Sequence, residues 1–140
     1  METNEIMARA LSVVETSRYC VMGTYDESGR PALRAMTNLR NDGLVTFCFA
    51  TSLFSRKVAH LRRNPQATLY FADSAQAVGL TLLGTMEILE DDETRQLSWK
   101  TSFRVFFPRG VNDPSYCILR FKAEKAIYSE DRVPTTLELQ

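Results

Sequence analysis

Two periodicities divide the chain. Behind Thr3 and Asn4, either of which can cap a helix, Ile6, Met7, Ala10, Leu11 and Val14 recur at helical spacing. This predicts a helix within residues 1–18 that lies across a core and ends near Ser17. Beyond it the period shortens to two. Tyr19–Tyr25 reads as a strand that stops at the turn cluster Asp26–Pro31. Pro31–Leu39 alternates, with Leu33, Ala35, Thr37 and Leu39 on one face and Arg34, Met36 and Asn38 on the other. Asn41-Asp42-Gly43 is a hairpin signal that returns this strand as Leu44–Ala50. Ala67–Asp73 is the next strand. In Val78–Leu89 the residues Val78, Leu80, Leu82, Met86 and Ile88 share a face, and Gly84 marks a bend or bulge. Tyr116–Glu130 is the last strand, and residues 131–140 form a polar tail without a pattern of their own.

Two further helices are expected. Phe54, Val58 and Leu61 form a short stripe that Asn64-Pro65 ends. The acids Glu90, Asp91, Asp92 and Glu93 suit the positive start of another helix, which the Phe106–Pro114 loop ends. About six closely spaced antiparallel strands with three short helices predict a mainly β, single-domain β-barrel over residues 1–140.

Composition narrows the functions. Seventeen basic residues balance seventeen acidic ones, which argues against a nucleic-acid partner. No apolar run reaches the length of a membrane span, and the polar, acidic start does not read as a signal peptide, so a cytoplasmic location is expected. Cys20, Cys48 and Cys117 lie far apart inside apolar runs and read as buried thiols rather than metal ligands. With His60 the only histidine, neither a metal site nor a histidine-based triad has enough donors, so no catalytic side chain is assigned.

Within this neutral chain the charge is uneven. Thr51–Pro65 holds Arg56, Lys57, Arg62 and Arg63, and no carboxylate occurs between Asp42 and Asp73. With Thr51, Ser52 or Ser55 as cap, Arg56 and Lys57 occupy the first helical turn, where the helix dipole disfavours cations. Two readings are open. One is a solvated basic face, which suits Arg62 and Arg63. The other is an anion site made from hydroxyls, free N–H groups and two cations, suited to a phosphate. Arg34 favours the second, because an arginine amid Leu33, Ala35 and Met36 needs a partner if it is partly buried. The hairpin expected here would pair its strand with the one that delivers Thr51.

The series Gly29-x-Pro31-x-x-Arg34-x-Met36, Gly43, Ala50-Thr51, Ser55-Arg56-Lys57 and Asn64-Pro65 resembles the pyridoxamine 5'-phosphate oxidase-like flavoproteins. Gly84 with Glu87, Phe107-Pro108-x-Gly110 and Asp113-Pro114 resemble their general stress protein branch. The resemblance spans Tyr19 to Tyr128. It implies an FMN-binding split barrel acting as a homodimer, with the flavin site at the subunit interface. By position it places Arg34, Ser55, Arg56 and Lys57 on the FMN phosphate. Ala35, Met36 and Thr37 would run along the isoalloxazine edge, and Ala50 and Thr51 would meet the ring and ribityl region.

Three departures bear on the substrate. Leu39 stands where the oxidases have a lysine, Gly79 lies nearest their partner-subunit glutamine, and RVPTTLELQ lacks their C-terminal vitamin-phosphate grip. The expectation is an FMN-dependent oxidoreductase with a small-molecule substrate or electron donor, and not a true pyridoxamine phosphate oxidase. The alternative is a non-catalytic binder of flavin, deazaflavin or haem with a stress or sensing role, haem being disfavoured because His60 is the only histidine and lies on the basic face. Trp99, Phe103, Phe106 and Phe107 either pack as a core stripe or cover the flavin face.

Overall fold

The computed structural model describes residues 1–139. Eight strands form one antiparallel sheet. They are β1 (Cys20–Tyr25), β2 (Pro31–Met36), β3 (Arg40–Asp42), β4 (Thr46–Ser52), β5 (Gln66–Asp73), β6 (Val78–Leu89), β7 (Tyr116–Glu130) and β8 (Val133–Glu138). The order is β2-β1-β5-β6-β7-β4-β3, with β8 on β7. Because β2 and β3 do not pair, the barrel stays open along one seam, as a split barrel does. The helices are α1 (Thr3–Thr16), α2 (Arg56–Arg63) and α3 (Asp92–Ser98), the last followed by short 3₁₀ turns at Thr101–Val105 and Gly110–Asn112. None is long and apolar enough to cross a membrane.

Alternation along the strands builds the core. Met22, Phe47, Phe49, Leu69, Phe71, Leu80, Leu82, Leu119 and Phe121 are fully or almost fully buried. Phe47 is the hub, with ring centroids 5.7 Å from Phe71 and 6.2 Å from Phe121. Each such side chain contributes roughly 1.5–3 kcal/mol by leaving water. Helix α1 packs on this core with Ile6, Ala10, Val13 and Val14. The three cysteines are buried free thiols. Burial pushes the Cys20 thiol up to about 12 and that of Cys117 up to about 11.

Several local expectations hold. Strands β6 and β7 span the anticipated residues. Asp91 caps α3, accepting from the Thr94 backbone N–H at 3.0 Å and its hydroxyl at 2.8 Å. The bulge falls where Gly84 meets β7, with the extra residue, Glu124, on the opposite strand.

Other expectations are corrected. There are eight strands, not about six. The hairpin turn at Asn41-Asp42-Gly43 joins β4 to the short β3, while β2 pairs with β1. Arg34 is therefore not on a hairpin partner of the strand carrying Thr51. The turn ahead of β2 decides this: Asp26 Oδ1 accepts from the N–H groups of Ser28 and Arg30, and Gly29 adopts φ 80, folding β2 back on β1. The expected tail forms β8, because Asp131 and Arg132 take left-handed conformations (φ 52 and 64) and close a two-residue hairpin that buries Leu137. Helix α3 stops at Ser98, well before the Phe106–Pro114 loop. Phe54 points to solvent, and Leu53 packs on the core beside Val58 and Leu61.

Candidate functional site

Helix α2 starts with Ser55 as its cap residue, and Arg56 and Lys57 do occupy the first turn. The N–H groups there have no intrahelical acceptor. Ser55 makes no capping bond, and its buried Oγ has no hydrogen-bond partner among the described residues. Thr51 lies inside β4 and Ser52 at its end, so neither caps the helix. Lys57 Nζ folds back to donate to Thr51 Oγ1 at 3.0 Å. Arg34, on the edge strand β2, faces inward and is opposite Met22 in β1. Its Nη1 donates to Thr24 Oγ1 at 2.8 Å and to the Met22 carbonyl at 3.3 Å.

These cations cluster although they come from separate elements. Burial lowers the pKa of Arg34, and the nearby Arg56 lowers it further. Burial likewise lowers that of Lys57, with Arg34 adding to the effect. Among the described residues none of the three forms an ion pair, whereas the exposed Arg62 reaches Glu90 at 3.6 Å. Three cations lie close together here, two of them partly desolvated and none neutralised among the described residues, an arrangement that favours an anion.

A cleft of about 760 Å³ opens beside this cluster, within the range of small-molecule and cofactor pockets. It is lined by seven of the nine residues expected from sequence: Ala35, Met36, Thr37, Ala50, Thr51, Ser55 and Lys57. Arg34 and Arg56 stand outside the lining but within electrostatic reach of it. The cleft also takes in Leu39, Ser52, Lys100, Ser102, Phe103, Phe106 and Phe107. The aromatic run divides between packing and the cleft. Trp99, Phe103 and Phe107 pack around Tyr116 with centroids 5.1–6.2 Å from its ring, while Phe103, Phe106 and Phe107 face the cleft. Lys100 had no signal in the sequence, being an isolated lysine after Trp99. It is a second cation in a cleft where one anion site was expected.

His60 is not on the basic face. It is buried against β1, with Nδ1 2.9 Å from Thr24 Oγ1. No group of three or more possible metal-ligating side chains occurs among the described residues.

The fold and the cleft together define a split barrel with an apolar body and a cationic end suited to a phosphate. A family model described as pyridoxamine 5'-phosphate oxidase matches residues 6–130, and the chain belongs to that family. A Clostridium acetobutylicum protein related to general stress protein 26 is 33% identical, with a TM-score of 0.89 over 99% of this chain and 97% of that one. An FMN-binding, pyridoxamine 5'-phosphate oxidase-related protein of Nostoc punctiforme is 14% identical, with a TM-score of 0.66 over 100% of this chain and 98% of that one. A haem-binding protein of Mycobacterium smegmatis is 13% identical, with a TM-score of 0.75 over 95% of this chain and 57% of that one. The last two likenesses show the fold alone. No curated protein matches the sequence.

Proposed function

We propose that this protein is an FMN-dependent oxidoreductase acting on a small molecule. The observation that carries the reading is the convergence of Arg34, Arg56 and Lys57, unpaired with any carboxylate among the described residues, beside the orphaned Ser55 Oγ at one end of an apolar cleft. Ser55 Oγ, the first-turn N–H groups of α2 and the three cations would hold the phosphate. Ala35, Met36, Thr37, Ala50 and Thr51 would line the ring and ribityl chain. FMN, when bound, supplies the redox chemistry, and the protein's part is to bind, orient and shield it. A haem reading is less well supported, since the only histidine turns away from the cleft. A deazaflavin would fit the same cationic end.

The test is reconstitution followed by absorbance and turnover. FMN should bind with a perturbed flavin spectrum and should be reduced slowly by a nicotinamide cofactor. Pyridoxamine phosphate under air should give little turnover, because Lys100 is a lone exposed cation and the C-terminal segment that would add more is β8. A haem spectrum, or robust saturable oxidation of the vitamin, would overturn these assignments.

The same reading includes a two-fold homodimer with the flavin site at its interface. On the outer face of the sheet, Val21 lies between Ala35 and Tyr70, and Gly23 between Leu33 and Thr68. Leu33 is 69% exposed. None of these six residues is charged, and Ala35 joins them to the cleft. An apolar face of this kind suits an isologous contact. Sedimentation should give a dimer, and Leu33→Arg, which places two like charges near the axis, should shift it to monomer. A flavin-loaded wild-type monomer would refute the dimer.

A further inference from the structure

The three cations raise a question of aim. Arg34 sits on an edge strand, and among the described residues no carboxylate fixes its guanidinium, yet the phosphate reading needs its charge intact. Its fixed points are neutral acceptors: Nη1 takes both Thr24 Oγ1 and the Met22 carbonyl, while Nε and Nη2 make no hydrogen bond among the described residues. A carboxylate would hold the guanidinium as firmly but would cancel the charge that a phosphate must find.

Proton accounting extends the chain one step further. Thr24 is almost completely buried, and its hydroxyl oxygen already accepts from Arg34. Its own proton needs an acceptor, and His60 Nδ1 at 2.9 Å is the one partner that remains among the described residues. The bonds on this accounting run one way, from Arg34 to Thr24 to His60 Nδ1. The opposite direction, His60 donating, would leave the buried Thr24 proton with no acceptor.

We propose that Thr24 and His60 are positioning residues that aim Arg34 at the cofactor phosphate without neutralising it. They touch neither the cleft nor the ligand and act through the guanidinium alone. This inference rests on the phosphate reading of the preceding section.

The test compares the affinity of FMN with that of riboflavin, which lacks the phosphate, in folded variants checked by thermal melting. Thr24→Val and His60→Leu should each weaken FMN about 5- to 10-fold and leave riboflavin unchanged. Thr24→Ser, which keeps the hydroxyl, and His60→Asn, which keeps an acceptor near the position of Nδ1, should restore most of the loss. The double variant Thr24→Val/His60→Leu should lose little more than either alone, because one chain is being broken. If Arg34→Ala abolishes the FMN preference while Thr24→Val and His60→Leu keep it, the positioning role is wrong. Equal weakening of both flavins would reduce the pair to a structural role and overturn it as well. A wild type with no preference for FMN would instead sink the phosphate reading itself.

Discussion

Arg34→Ala is expected to weaken FMN binding about 10- to 150-fold while leaving riboflavin affinity close to wild type. The range follows from about 1.5–3 kcal/mol for a hydrogen bond to a charged group, at about 1.4 kcal/mol per tenfold. The selectivity follows from position. Arg34 stands outside the lining of the apolar cleft body and acts at the cationic end, where it is close enough to Lys57 to lower that residue's pKa. Lys57→Ala should act in the same direction, with a further loss from releasing Thr51 Oγ1. The two losses should not add fully, because removing one cation relieves repulsion on the other. Raising salt should shrink the wild-type preference for FMN over riboflavin, more at the exposed Arg56 than at the partly buried pair. Fluorescence titration of both flavins is the measurement. Equal affinity for the two in the wild type would remove the phosphate from the cationic cluster.

Gly84→Ala is expected to be the most damaging conservative change in the barrel. A Cβ at Gly84 would overlap the carbonyl oxygen of Lys122 and lie 3.0 Å from Ala123 Cα. Both are backbone atoms at the bulge where β6 and β7 change register, so no flexible side chain can move aside. Overpacking typically costs about 1–3 kcal/mol. This contact belongs at the upper end, near 3 kcal/mol, or a fall of about 10 °C in Tm. Gly43 makes the control. A Cβ there meets nothing within 4 Å, and only its φ of 55 penalises alanine, by about 1–2 kcal/mol. Thermal unfolding of the two variants should therefore rank Gly84→Ala well below Gly43→Ala. A Gly84→Ala protein as stable as wild type would mean that the β6–β7 crossing is looser than the structure has it.

Features set by local chain order were legible before the fold was known. Period-two alternation gave β6 and β7 their spans, because burying one face of a strand constrains every second residue. The acids at Asp91–Glu93 set the start of α3 through a cap between neighbours in the chain. The start of α2, with Ser55 as cap residue and Arg56 and Lys57 in the first turn, was legible because the three are consecutive. Which strands meet emerged from the folded barrel alone. Backbone pairing carries no side-chain code, and Asn41-Asp42-Gly43 marks a turn equally well whether the returning strand meets β2 or the short β3. Strand β8 was hidden because Asp131 and Arg132, not glycines, take its left-handed turn. Lys100 and Ser102 reached the cleft through a 3₁₀ turn that no periodicity announces. His60 looked like part of a basic face, but the packing of α2 on β1 turned it inward onto Thr24. The sequence placed cations near one another, whereas their freedom from neutralising partners is a property of the folded barrel: among the described residues no carboxylate pairs with Arg34, Arg56 or Lys57.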